Sequence, residues 1–218
     1  MVLEQHFNDF LSRVIAEDAL HARFLNSISL LEYIGARKMA KSLPQRGFDG
    51  QMLAHLSEEA RHALVFKRWA ERLNGQPMDF SANQLLASKP AQRYIQGIDR
   101  QAQVCARQLG LNLAETYWLA TWMIEVRAMW AYPRYQAVLE QNGRGPGRIS
   151  LVAIIREEQS HLRDMGHYFD QHPRVNRNVL QTLETEEESL FSQLLSKWEQ
   201  SLTHDPALAQ EDKPKGTS

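Results

Sequence analysis

Two short stretches of the sequence, SEEARH and REEQSH, lie about a hundred residues apart, and each contains a glutamate followed three residues later by a histidine. The pairs are Glu59 with His62 and Glu158 with His161. Residues three apart on an α-helix lie on neighbouring turns of the same face, so the carboxylate and the imidazole of each pair can bind one metal ion. The first stretch is flanked by apolar residues, which indicates that part of its helix faces a core.

Two further glutamates lie among apolar residues in helical patterns of their own. Glu32 is in LLEYIG, and Glu125 is in TWMIEVRAMW. Glu32 precedes Glu59 by 27 residues and Glu125 precedes Glu158 by 33, and either gap suits an antiparallel helix pair in which both glutamates reach the same level. The order along the chain is therefore Glu, Glu-x-x-His, Glu, Glu-x-x-His.

Four carboxylates and two imidazoles in this order are the ligand set of a dinuclear iron or manganese site inside a four-helix bundle. Hard carboxylate oxygens with one imidazole per metal suit Fe or Mn. Without cations, four buried glutamates would face a desolvation penalty that only protonation or pairing relieves. We therefore predict two iron ions, with manganese as the alternative, bound by Glu32, Glu59, His62, Glu125, Glu158 and His161.

The elements that must position these residues read as helices throughout, which predicts an all-α protein. A crossover with its own short helices separates two pairs of long helices, and an additional helix follows at the C-terminal end. We predict a single domain over 1–203 and a disordered tail over 204–218. The expected helices cover 2 to about 43 with a break near Glu17 and Asp18, 49–73, two pieces within 76–111, 112–141 with an interruption or kink near Pro133, 149–171 and 174–202.

Composition excludes several classes of protein. The net charge of −1 provides no general field for nucleic acid, so we do not expect a nucleic-acid partner. The single cysteine, Cys105, excludes a disulfide framework and any zinc or rubredoxin site built from CxxC pairs. No apolar signal region opens the sequence, and no window is long and apolar enough to span a membrane, so we expect a soluble cytoplasmic protein.

The residue order and the two motifs resemble those of the ferritin-like di-iron carboxylate superfamily. This superfamily includes ferritins, rubrerythrins, ribonucleotide reductase small subunits, multicomponent monooxygenases, aldehyde-deformylating oxygenases and tRNA-hydroxylating enzymes. The resemblance covers about residues 19–171 and implies a ferritin-like four-helix bundle. It also implies that Glu32 and Glu125 are terminal ligands on opposite metals and that Glu59 and Glu158 bridge or chelate.

The resemblance further implies residues that support the ligands. In monooxygenase-like members an acidic residue just before the ligand glutamate holds the histidine of the opposite motif, so Glu157 would accept a hydrogen bond from His62, and Glu58 from His161. Surface exposure of both glutamates is the alternative. His55 lies on the same stripe as Glu59 and is either a further ligand or supporting group, or an ordinary surface histidine. Tyr132 shares a face with Glu125 and either acts at the site or packs in the core.

The expected function is that of a non-haem di-iron enzyme. We favour an O2-activating oxidase or monooxygenase that acts on a small organic or lipid-like substrate and takes electrons from an external donor. The alternatives are a ferroxidase or iron-handling protein, a rubrerythrin-like protein that reduces peroxide, and a tRNA-modifying hydroxylase. A homodimer is compatible with the sequence.

Overall fold

The structure is a computed structural model that describes residues 2–42, 49–144 and 149–203. Within these ranges the chain is all-helical, as the sequence predicted, and it contains seven α-helices and one short 3-10 turn. The predicted tail over 204–218 lies outside the described residues. The helices are α1 Val2–Ala16, α2 Asp18–Ser42, α3 Gly50–Asn74, α4 Ser88–Leu109, α5 Leu113–Gln141, α6 Val152–Asp170 and α7 Arg177–Thr203.

The helix ends follow from local capping chemistry. Asp49 caps α3 by accepting a hydrogen bond from the backbone N–H of Met52, and Gly75 ends that helix in the left-handed conformation. Asn112 and Glu115 form the capping box predicted at the start of α5, with each side chain accepting from the other residue's backbone N–H. These caps set where α3 and α5 begin, and so set the positions of the glutamates and histidines along them.

The predicted elements are reproduced with two differences. The break between α1 and α2 falls at Glu17, as predicted. Of the two helical pieces expected within 76–111, the first is only a 3-10 turn at Ala82–Gln84, and α4 is the second. α5 runs without interruption across Pro133, so the interruption considered there does not occur.

Four helices surround the interior in the cyclic order α2, α3, α6, α5. α2 packs along α3, α5 packs on α6, and the ring closes through contacts between α2 and α5 and between α3 and α6. The other three helices, α1, α4 and α7, lie on the α2 and α5 side and contact one another or these two helices. We call α2, α3, α5 and α6 the inner helices, and α1, α4 and α7 the outer layer.

The outer layer is held to the inner helices by a cluster of aromatic rings. Phe10 of α1 stacks on Trp198 of α7 with a centroid distance of 5.6 Å, and Phe24 of α2 meets the edge of the same indole at 5.4 Å. α4 and α7 approach closely at Gly97, where an added Cβ would lie 2.8 Å from Leu190 Cδ2. The C-terminal helix is therefore an integral part of the core.

None of the helices in the described ranges is both long enough and apolar enough to cross a membrane.

His21 generates a testable pH dependence of stability. Its fully buried imidazole is hydrogen-bonded to the hydroxyl of Tyr135. Burial, and secondarily the positive charge of Arg144, lower the pKa of His21 from 6.5 to about 4 in the folded protein. Because the unfolded state binds more protons between these two pH values, the free energy of unfolding should fall as pH drops through this window, by roughly 3 kcal/mol in total.

Urea denaturation of the metal-free protein at a series of pH values measures this effect. In His21→Gln, which cannot titrate there, the decrease between pH 6.5 and pH 4 should be smaller than in the wild type. If the free energy of unfolding fell equally with pH in the two proteins, this role for His21 would be excluded.

Candidate metal centre

All six predicted ligands lie inside the ring of inner helices, and a seventh residue, His55, joins them. Each inner helix contributes a carboxylate, because the stripe of α2, α3, α5 or α6 that faces the interior carries one glutamate. Five of the six predicted ligands are buried; Glu32 is half-buried because it borders an internal cavity. The contributions are Glu32 from α2, His55, Glu59 and His62 from α3, Glu125 from α5, and Glu158 and His161 from α6.

The side chains form two overlapping groups, each able to hold a metal ion. In the first group, one ligand atom from each of His55, Glu59, Glu125 and His161 lies within 4.8 Å of the others. In the second group, the same holds for Glu32, Glu59, His62 and Glu158. We call these the His55 group and the His62 group.

Glu59 and Glu158 connect the two groups. Glu59 belongs to both. The two oxygens of Glu158 face different imidazoles, since Oε1 lies 3.1 Å from Nδ1 of His62 and Oε2 lies 3.2 Å from Nδ1 of His161. Glu32 and Glu125 each belong to one group only. Glu59 is thus common to both groups, and Glu158 lies between an imidazole of each.

The outward-facing nitrogens of the two motif histidines pair with the glutamates that precede the ligand glutamates. His62 Nε2 lies 2.7 Å from Glu157 Oε2, and His161 Nε2 lies 2.8 Å from Glu58 Oε2. Both carboxylates are half-buried, so they reach the histidines while keeping contact with solvent. A metal-binding histidine that donates its second N–H to a carboxylate is fixed in one tautomer and one orientation.

Arg61, the arginine of the first motif, supports one of these pairs. Its Nη2 lies 2.5 Å from the same Glu157 oxygen that His62 contacts. Hydrogen bonds and charge from Arg61 and His62 outweigh the effect of partial burial and lower the pKa of Glu157. Glu157 therefore stays ionised as an acceptor for His62.

Tyr132 contacts the centre directly. Its buried hydroxyl donates a hydrogen bond to the Glu32 carboxylate, from one inner helix to another. Burial, followed by the negative charge of Glu32, raises the pKa of Tyr132 well above its usual range, so the tyrosine remains a donor. The sequence placed Tyr132 on the face of Glu125, whereas the structure pairs it with Glu32 across the interior.

The sequence left two interpretations of His55 open, a residue of the site or an ordinary surface histidine. It is buried, and its Nε2 lies 3.4 Å from Glu59 Oε1 and 3.4 Å from Glu125 Oε1. Its ring also packs against that of His161, with centroids 3.7 Å apart. It is therefore not a surface histidine, and the His55 group holds two imidazoles where the His62 group holds one.

The pKa shifts in the cluster indicate that its carboxylates need compensating positive charge. Burial, and then the charges of Glu59 and Glu158, raise the pKa of Glu32 well above its usual range. For His161, burial favours the neutral form, but hydrogen bonds to Glu125 and Glu158 outweigh it and raise the pKa to about 12. The carboxylates thus draw protons onto their neighbours when no cation is bound.

Three buried atoms of the cluster lack hydrogen-bond partners, and this supports metal binding. They are His55 Nε2, Glu59 Oε1 and His62 Nδ1. Buried polar atoms are rarely left unpaired, because each one costs free energy. All three are potential ligand atoms that face the interior of the two groups, so bound cations would satisfy them and would neutralise the four carboxylates.

Substitution of Glu125 tests the ligand assignment. Glu125→Ala removes a terminal carboxylate from the His55 group, so the metal content after loading with Fe(II) should fall from two ions per chain to at most one. Elemental analysis measures this content, and circular dichroism should show retained helicity. Glu188→Ala, which changes an exposed glutamate of α7, is the matched control and should keep two ions. Two ions per chain in Glu125→Ala would make the assignment wrong.

Substitution of His55 tests the asymmetry of the centre. Because His55 belongs to only one of the two groups, His55→Ala should weaken the binding of one metal at least tenfold and leave that of the other nearly unchanged. Competition with a chelator measures both affinities. His167→Ala, which removes an exposed histidine of α6, should change neither. Unaltered affinities in His55→Ala would exclude His55 as a ligand.

Comparisons of the chain with models of protein families, with curated proteins and with solved structures found no match. The resemblance to the ferritin-like di-iron superfamily therefore rests on the order of the motifs. The structure itself shows an all-helical chain with a buried cluster of glutamates and histidines that could hold metal.

Proposed function

We propose that this chain is a ferritin-like di-iron protein and an O2-activating oxidase or monooxygenase that acts on a small organic substrate. The observation that carries the proposal is the pair of four-residue groups that share Glu59. Seven side chains from four helices converge there, and three of them present an unpaired buried atom. The alternative is a helical protein that binds no metal and keeps these glutamates and histidines only as buried ion pairs, and it gives no reason for seven such residues to converge.

The ligand types favour iron, with manganese as the alternative. Carboxylate oxygens and imidazole nitrogens suit both metals, and four carboxylates balance two divalent ions. Two ferrous ions bound here would supply electrons to O2. In a monooxygenase reaction one oxygen atom would enter the substrate and the other would leave as water. This reaction takes up two protons and the two electrons that the ferrous ions supply, and an external donor would then return two electrons to the iron.

The protein residues have separate roles in this proposal. Glu59 and Glu158 would hold both metals, while Glu32 and Glu125 would each hold one. Tyr132 holds the Glu32 carboxylate through its hydroxyl. The remaining contacts orient the imidazoles, because Glu58 and Glu157 accept hydrogen bonds from the outward nitrogens of His161 and His62.

An apolar cavity beside the ligands supports oxidation of an organic molecule over simple iron oxidation. The cavity has a volume of about 100 Å³ and is bordered by Glu32, Glu59, Glu125 and Glu158. A ferroxidase needs a polar route for iron and has no use for an apolar chamber at the metals. A tRNA hydroxylase would have to admit a nucleotide, whose phosphate and base this chamber does not match.

Reaction with O2 tests the proposed function. The protein loaded with two Fe(II) ions per chain under anaerobic conditions should consume O2 rapidly on mixing and develop visible absorption as the iron is oxidised. Glu32→Ala, which removes a terminal ligand from the His62 group, should lose most of both signals. An oxygen electrode and stopped-flow absorbance measure them.

A loaded wild type that reacts no faster than free Fe(II) would contradict the proposal. Growth of a mineral core together with a cage-sized particle by light scattering would favour the ferroxidase alternative instead.

A further inference from the structure

The cavity beside the candidate centre is enclosed by helices that contribute no ligand as well as by those that do. Phe7 of α1, Ile95 of α4 and Leu194 of α7 line it together with residues of α2 and α5. The acids and Tyr132 border the cavity where it meets the centre. Apart from these groups, the described residues that line it include only three with a polar side-chain group: Arg127, Tyr94 and Trp198, whose indole N–H donates to the carbonyl of Leu86.

Arg127 and Tyr94, away from the centre, are already neutralised. Arg127 makes a forked ion pair with the fully buried Glu187, with Nε and Nη2 lying 2.9 Å and 2.6 Å from its Oε2. The Tyr94 hydroxyl donates a hydrogen bond to the same carboxylate. The guanidinium also lies over the Phe191 ring, 4.4 Å from its centroid. This cluster carries no net charge, so it offers an incoming anion little electrostatic gain.

Small residues line the cavity next to the glutamates that could bind metal. Ala128 and Ala131 of α5 line it on the turns after Glu125, and Gly35 of α2 lines it close to Glu59. Larger side chains at these places would fill the space nearest the metals. The sequence therefore leaves room for a ligand at the point where oxidation would occur.

The volume limits the size of the occupant. One water needs roughly 10–15 Å³ on this measure of volume, so about 100 Å³ has room for roughly seven to ten water-sized groups. Burying a charged group among these apolar walls would be strongly unfavourable unless a partner compensated its charge. The cavity therefore matches a neutral molecule with few polar atoms.

We propose that the substrate is an uncharged, mainly apolar organic molecule of roughly seven to ten non-hydrogen atoms, which binds between the carboxylates and the Arg127–Glu187–Tyr94 cluster. This inference rests on the proposed function and specifies its substrate class. Binding of such a molecule does not itself require metal, so it can be measured separately from the reaction with O2.

The test uses the full chain, metal-free and loaded anaerobically with Fe(II), and isothermal titration calorimetry with 1-octanol and octanoate as probes. We expect 1-octanol to bind with one molecule per chain and octanoate to bind at least tenfold more weakly. Ala128→Leu and Ala131→Leu, each of which narrows the cavity, should weaken 1-octanol binding at least tenfold. Ala137→Leu, the same change on the exposed side of α5, is the control and should leave binding unchanged.

Octanoate binding as tight as 1-octanol binding, or failure of 1-octanol to bind, would overturn the inference. Unchanged 1-octanol affinity in both cavity variants would also overturn it. A protein that holds two metal ions but binds no 1-octanol keeps the proposed centre and loses the substrate class. A protein that binds 1-octanol but holds no metal loses the proposed function, and with it the claim that the occupant is a substrate.

Discussion

Burial of four carboxylates in one small volume is the constraint on which the rest of this structure depends. Ionised glutamates in an apolar interior need compensating positive charge. The bare cluster meets this need by drawing a proton onto His161, whose pKa rises to about 12, because hydrogen bonds to Glu125 and Glu158 outweigh burial. Two divalent cations would meet it more completely, and the three unpaired ligand atoms lie where such cations would bind.

The helices and six of the seven converging residues were predictable from sequence because both depend on local spacing. Glu-x-x-His pairs, capping residues and apolar periodicity act over a few residues, and the helix bounds in the structure agree with them closely. His55 gave a weaker signal: its position four residues before Glu59 allowed a ligand or a surface residue. Its burial against His161 excludes a surface position, and that contact depends on how α3 and α6 meet, which no local pattern records.

The cavity was beyond prediction for the same reason. Its walls come from Phe7 near the start of the chain, Ile95 in the crossover and Leu194 near the end of the described residues. The resemblance that indicated the centre stops before α7, whereas the structure places that helix against the aromatic rings of α1 and α2. Arg127 lies two residues after Glu125, and its ion pair with Glu187 of α7 is likewise a contact between distant parts of the chain that no local pattern indicates.

Because part of the cavity wall lies on α1, α4 and α7, residues that shape the cavity and residues that could bind metal lie partly on different helices. The inner helices carry all seven candidate metal-binding residues, and the outer layer contributes only apolar and neutralised side chains to the chamber. Changes at positions such as Phe7 or Leu194 could therefore reshape what the chamber admits while leaving every ligand in place. A chain built in this way can change the shape of the chamber through α1, α4 and α7 while the cluster of glutamates and histidines on the inner helices stays intact.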